Sequence, residues 1–203
     1  MLKQILLIIV DIILLLIIFY QVYFLRKPER HIPKGTIVSP ADGRIARIIE
    51  IGGKSITIEK GLLGKIKTQT RDTIKKGYLI NIVLTPLNVH YQRAPCDGTV
   101  LSVKHFDGAF KNAVIGAKTM PTLHNERTEI LIKSSFGKIK VIQIAGFLAR
   151  RIETIVKKND KIKKGQIIGI IKLGSQVSLI IPKCKLKVRE GQRVVDGETV
   201  IAQ

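Results

Sequence analysis

A mainly β body carried behind one N-terminal transmembrane helix is the fold class this sequence predicts, on three observations. The first is an apolar and aromatic stretch from Ile5 to Leu25, interrupted only by Asp11 and Gln21. The second is a series of short Val- and Ile-rich runs punctuated by Gly and Lys-Gly. The third is a pair of internal echoes built on Asp-Gly and Lys-Gly turns.

The first stretch is long enough to cross a bilayer core of about 30 Å. Fourteen Ile, Leu, Val and Phe side chains lie between Ile5 and Phe19, and at about −0.3 to −0.6 kcal/mol each they outweigh one Asp at roughly +2.5 to +3.5. No alanine precedes Ala41, so the small-residue cleavage site of a signal peptide is missing and the segment is expected to stay attached. Only Lys3 stands before the span, whereas Arg26, Lys27, Arg30 and Lys34 follow it. Positive charge stays inside, which places the body on the cytoplasmic face of the cell membrane. The expected organisation is an anchor at 1–25, a basic juxtamembrane linker at 26–38 and one domain at 39–203, long enough for its own core.

In the body, strands are expected at Gly43 to Ile51, Lys54 to Ile58, Leu79 to Leu84, Thr99 to Val103, Thr128 to Ile132 and Lys138 to Gln143. Their bounding Gly, Pro and Asp residues are the reason. Residues Gly146 to Ile155 are expected to hold a short turn of helix. Ser39-Pro-Ala-Asp-Gly-Arg-Ile-Ala is echoed by Ala94-Pro-Cys-Asp-Gly-Thr-Val-Leu, and Asn159 to Ile168 by Glu190 to Val200. Such turns opening successive strands are familiar from barrel-sandwich folds of the biotinyl and lipoyl type. The prediction is therefore a barrel-sandwich-like core with internal duplication. The echo also gives Asp42 a plain alternative role: its twin Asp97 suggests an Asp that serves the turn backbone alone.

The net charge is +20, and because Lys3 and Asp11 cancel, all of it lies beyond the span. Such a charge calls for an anionic neighbour. Nucleic acid is disfavoured, since aromatics are 5% of residues, Trp is absent and no zinc-finger or RNP-like pattern occurs. An anionic membrane surface is the simpler partner for a tethered domain; a Lys- and Ile-rich composition with solvated charge is the alternative. Cys96 and Cys184 lack close partners, and the histidines His31, His90, His105 and His124 show no ligand spacing, so neither a disulfide framework nor a metal is expected.

Several blocks follow one another in a telling order: Phe24-Leu-Arg-Lys-Pro-Glu-Arg30, Val38-Ser-Pro-Ala-Asp-Gly43, Thr85-Pro-Leu-Asn-Val-His90, Arg93-Ala-Pro-Cys-Asp-Gly98, Asn125-Glu-Arg127, Gly146-Phe-Leu-Ala-Arg-Arg-Ile152 and Leu173-Gly-Ser-Gln-Val177. Over about residues 24 to 182 the chain resembles the phosphatidylserine decarboxylase family, in particular its short prokaryotic branch that includes archaetidylserine decarboxylases. The resemblance implies a proenzyme that cuts itself between Gly174 and Ser175 into a β chain, 1–174, and an α chain, 175–203. Residue 175 would then carry a pyruvoyl group, a cofactor that draws electrons from a bound amine much as pyridoxal phosphate does. The substrate implied is a serine phospholipid, decarboxylated to its ethanolamine counterpart.

The same resemblance implies an Asp-His-Ser arrangement for the cut, here Asp42, His90 and Ser175. Many members carry a second histidine in this block, and Arg93 stands where it would be. Arginine stays protonated and cannot be the base. Either His90 serves both cleavage and decarboxylation, or the cut uses another base. Arg93 suits a substrate phosphate, because a planar guanidinium grips phosphate oxygens as a fork. Asn125-Glu126-Arg127 reads equally as a phosphate contact or a charge pair supporting the fold. A rival reading is a non-enzymatic membrane-anchored module, which the barrel-sandwich turns alone would satisfy; it would remain one uncut chain.

Overall fold

In the computed structural model, residues 1–52, 56–59, 65–68, 73–74, 76–107, 126–145, 151–172 and 175–203 are described. The apolar stretch forms helix α1 (Leu2–Ile18), which widens into a π-helical turn at Phe19–Phe24. Within Leu2–Phe24 an 18-residue stretch reaches a mean hydropathy of 3.0, and the whole run has a length near 35 Å, enough to cross a bilayer. No α1 side chain is buried against the body. At its end the rings stack in pairs, Phe19 on Tyr23 at 5.3 Å and Tyr20 on Phe24 at 5.2 Å. Phe24 alone in this helical run is fully buried.

The body is all β. Strands β1 (Ile37–Val38), β2 (Gly43–Ile51), β3 (Ile56–Glu59), β4 (Lys65–Thr68) and β5 (Gly77–Leu84) come first. Then follow β6 (Tyr91–Arg93), β7 (Gly98–Phe106), β8 (Arg127–Ser134), β9 (Gly137–Ala145) and β10 (Arg151–Thr154). The last are β11 (Lys161–Ile162), β12 (Ile167–Lys172), β13 (Ser175–Pro182), β14 (Arg193–Val194) and β15 (Val200–Ala202). An eight-stranded antiparallel sheet runs β11-β7-β8-β9-β13-β5-β2-β14, beside a three-stranded sheet β10-β12-β6 and the pairs β1-β15 and β3-β4.

The expected duplication is present in the backbone. β2 and β7 both begin at the Gly of an Asp-Gly step, and each pairs there with a two-residue strand: Val194 opposite Gly43, Ile162 opposite Gly98. Both carry a register shift at the same place, between Ile45 and Arg47 and between Val100 and Ser102. Both receive the same turn bond, from Gly191 N–H to Ile45 C=O and from Asn159 N–H to Val100 C=O. The donors have φ of 79° and 73°, a left-handed conformation that Gly and Asn accept at least cost. Strands β7-β8-β9 thus mirror β2-β5-β13 across the sheet centre, although β13 comes from the far end of the chain.

The two central strands are buried on both faces. Val141, Val177, Leu179 and Ile181 join the main core with Ile45, Ile80 and Ile82, while Ile142, Ile144 and Ile180 pack with Ile51, Ile74 and Leu79 on the other side. That is why Val141-Ile142 and Leu179-Ile180-Ile181 are apolar without alternation. The helical turn expected within Gly146 to Ile155 is not found at its described end: Arg151–Thr154 is extended and pairs with Gly169–Lys172, since a free strand edge overrides weak local preference. Residues 146–150 lie outside the described set.

Candidate active site

The linker after the apolar helix lies bound on the body. Arg93 Nη2 donates to Pro28 C=O at 2.8 Å, the His31 N–H donates to Glu198 Oε1 at 3.0 Å, and Lys164 Nζ donates to Pro33 C=O. Ile32 packs against both Gly165 and Gly197, where any Cβ would collide with it. These two glycines are equivalent in the duplication, so the linker crosses the chain where its two halves meet.

Beneath the linker the twin aspartates part company. Asp97 Oδ1 accepts the Lys164 N–H at 3.0 Å, and Asp42 Oδ1 accepts the equivalent N–H, that of Asp196, at 2.9 Å. Asp97 is exposed and has this backbone role. Asp42 is 9% exposed, and its Oδ2 also accepts the Val89 N–H at 3.1 Å while Arg30 reaches Oδ1 at 3.2 Å. The turn explains one of these bonds; of the other two, one ties Asp42 to Val89, the residue before His90, and one to Arg30.

Asp196 completes a balanced buried cluster. Its carboxylate receives Arg30 Nη2 at 2.5 Å and Arg93 Nε at 2.6 Å, so two carboxylates face two guanidiniums. Burial and the neighbouring Asp42 push the Asp196 carboxyl up to about 6, against the pull of Arg30. Arg93 also donates from Nη1 to Gly165 C=O at 2.8 Å and from Nη2 to Pro28 C=O. Its fork is thus engaged within the chain, and a substrate phosphate would have to displace these acceptors.

His90 is wholly buried under the end of the apolar helix, its ring 3.9 Å from that of Phe24. Nδ1 lies 2.9 Å from the Asn88 carbonyl, which can only accept, so Nδ1 carries the proton and Nε2 the lone pair. Nε2 has no partner among the described residues. Burial pushes the imidazole down to about 4, helped by Arg26 and opposed by the Asn88 bond and Asp42. The ring is therefore neutral at ordinary pH. A buried amide chain fixes its backbone: Thr154 Oγ1 donates to Gln143 at 3.0 Å, Gln143 to Gln92 at 2.7 Å, and Gln92 to His90 C=O at 2.6 Å. Asp42 meets His90 through the backbone at Val89, not through the ring.

Gly174 lies outside the described residues, and Ser175 is placed by its backbone at the head of β13, opposite Leu84 on one side and Ala145 on the other. Ile171 N–H donates to His90 C=O at 3.2 Å. Residue 175 is four positions further on, so its Cα lies within about 14 Å of that of Ile171. The β5 strand approaches from the other direction, ending at Leu84 six positions before His90.

Of the other residues singled out from sequence, Asn125 and His124 lie outside the described set. Arg127 Nε meets Glu129 at 3.2 Å, its guanidinium lies 3.8 Å over Phe106, and Glu126 accepts the Ile152 N–H, which are contacts that support the fold. Cys96 is buried, with its thiol pushed up to about 11 by burial, and neither it nor Cys184 forms a disulfide.

The phosphatidylserine decarboxylase family model matches residues 19–202. The chain belongs to the phosphatidylserine decarboxylase family. It is 36% identical to a protein of Methanothermobacter thermautotrophicus, over 96% of this chain and 85% of the relative, and 38% identical to one of Methanocaldococcus jannaschii, over 92% and 90%. Both carry the name archaetidylserine decarboxylase proenzyme. A Chlorobium phaeobacteroides relative named phosphatidylserine decarboxylase proenzyme is 35% identical over 92% of this chain and 80% of its own length.

Asp196, Arg30 and Phe24 were not among the residues singled out for a role. The signal for Asp196 was present in the second echo, where it takes the position of Lys164. An acidic residue there breaks the likeness and meets Arg30 and Arg93. Phe24 carried no such sign, because an aromatic at the end of an apolar run ordinarily belongs to the membrane interface.

Proposed function

We propose that this chain is a self-processing, membrane-anchored decarboxylase of a serine phospholipid, cut between Gly174 and Ser175. The observation that carries this reading is the buried neutral His90 whose Nε2 lone pair has no partner among the described residues, set beside the strand that leads into Ser175. A lone pair buried without a partner costs about 1 to 3 kcal/mol, a cost that a base kept ready for a proton explains. His90 Nε2 takes the Ser175 hydroxyl proton, Oγ attacks the Gly174 carbonyl, and the Gly174–Ser175 peptide bond gives way to an ester. Elimination leaves a Gly174 carboxylate and dehydroalanine at 175, and water releases ammonia to leave the pyruvoyl ketone.

The residues present suit that group: position 175 is held by strands on both sides, and His90, bonded to the preceding strand at Ile171, is neutral. Once formed, the pyruvoyl group supplies an electron sink for loss of the serine carboxylate as carbon dioxide. His90 Nε2 then holds and releases the proton taken up at the α-carbon. With a pKa near 4 it gives that proton up readily. With Arg93 engaged, and Arg26 itself bound to the Tyr23 and Leu87 carbonyls, the phosphate would fall to Lys27, the exposed cation nearest the helix end. The test is a denaturing gel and mass spectrum of purified protein, with release of carbon dioxide from serine phospholipid vesicles. An intact chain with an ordinary serine at 175 would leave the non-enzymatic module as the better reading.

The twin aspartates give an internal control. Asp42→Asn is expected to slow the cut by roughly tenfold to a hundredfold, the worth of charge-assisted hydrogen bonds of about 1.5 to 3 kcal/mol. Asp97→Asn, which alters one exposed turn, should cut at the wild-type rate. Equal slowing of both on a time-resolved gel would reduce Asp42 to a turn residue.

The anchor places the substrate. The body is read as cytoplasmic because Arg26, Lys27 and Lys34 follow the helix while Lys3 alone precedes it; Arg30 is neutralised in the cluster and adds little. The protein should resist carbonate extraction, and protease added outside sealed cells should spare the body. Digestion from outside would reverse the orientation.

A further inference from the structure

We propose that the turn Thr85 to Asn88 is a second membrane contact, with Leu87 seated in the interfacial layer beside the end of the membrane helix. Leu87 is 61% exposed; beyond the helical segment, Val83 and Ile155 are the other large apolar side chains so open among the described residues. The turn holds Leu87 out rather than leaving it loose. Asn88 Oδ1 accepts the Thr85 N–H at 2.8 Å and the Thr85 hydroxyl at 2.9 Å, and the Asn88 N–H donates to Thr85 C=O at 3.0 Å. With those polar groups satisfied, the tip can enter the boundary of the hydrocarbon without stranding them.

Its depth follows from Arg26. One guanidinium nitrogen donates to Leu87 C=O at 2.7 Å and the other to Tyr23 C=O at 2.8 Å, while the group lies 3.9 Å over the Tyr23 ring. Tyr and Arg at a helix end occupy the headgroup level, and Leu87 is fastened to that level. A single helix fixes a body to the membrane but leaves it free to lean. A second contact fixes the lean and holds His90, three residues on, at the height where a lipid headgroup arrives. The inference rests on the membrane span and not on the decarboxylase reading.

The chain contains no Trp, so single Trp reporters can be placed in the full-length protein. Leu87→Trp, Leu14→Trp at mid-span and Ser135→Trp in the β8–β9 turn, at the far end of the sheet from Ser175, would be reconstituted in phosphatidylcholine and phosphatidylglycerol vesicles. Lipids brominated near the headgroup or deep in the chain report depth. The expected result is quenching of Trp at 87 mainly by shallow bromines, at 14 mainly by deep ones, and at 135 by neither. Melting curves matching the parent protein establish that each variant is folded. A reporter at 87 that behaves like the one at 135 while that at 14 is quenched overturns the contact and leaves the span. Quenching at 87 mainly by deep bromines overturns the interfacial placement, and no quenching at 14 removes the span and this contact with it.

Discussion

Ser175→Ala is expected to run on a denaturing gel as one chain of 22.6 kDa, with no decarboxylase activity at all. Alanine has no oxygen with which to form the ester, and without the ester no carbonyl is made at residue 175. The loss is therefore double, of the cut and of the electron sink. Folding should be little touched, because the change removes one atom at the first residue of β13, and such a change is within about 0.5 kcal/mol where no network is broken. The wild type should give two chains on the denaturing gel and one body in native conditions. After the cut, β13 belongs to the α chain yet stays paired with β5 from Ser175 to Pro182 and with β9 from Ser175 to Ile180. A central strand buried on both faces cannot leave without dismantling the core. A Ser175→Ala protein that is still cut at the same bond would show that the serine is not the nucleophile.

The frame was legible because it rests on local rules. Gly43–Ile51 could be read to the residue, since Asp-Gly opens it and the register is enforced by a buried face. The short strands were not legible: Ile37–Val38, Lys161–Ile162 and Arg193–Val194 are two residues each and exist only through their partners. The site was half legible. Asp42, His90 and Ser175 stood in recognisable blocks, but no spacing in the chain could reveal that Asp42 reaches His90 through the Val89 amide, or that Arg93 is bound to Asp196 across 103 positions. The linker shows the same limit. Its sequence reads as a basic tether, whereas Arg30 and Ile32 are bound into the body by residues far along the chain.

Replacing His90 should remove the base and nothing else if the substitute keeps the ring's place under Phe24. His90→Gln is the better variant than His90→Ala, which would leave a cavity beneath the helix end and confuse chemistry with folding. The cut should slow by roughly 10² to 10⁴, the usual worth of general base catalysis. The pH profile is the sharper observable. The base works in its neutral form, so the rate for uncut chain made in a cell-free system should hold steady as pH falls through 6.5 and drop tenfold per unit only below about 4. An ordinary exposed histidine would lose activity two units sooner. The same shift bears on stability: the folded pKa lies below the unfolded one, so folding weakens as pH drops from 6.5 to about 4, by on the order of 3 kcal/mol. Asp196 acts in the opposite sense, since its raised carboxyl takes up a proton earlier in the folded chain than its ordinary value near 3.8 allows. Among the described residues it is also the group expected to add a shallow inflection near pH 6 to that otherwise level rate, well short of tenfold per unit, by unbalancing Arg30 and Arg93 beside Asp42. Asp196→Asn should remove that inflection and leave the limb near 4. A limb that stays at 6.5 in both proteins would mean that the base is exposed, and His90 under Phe24 would not be it.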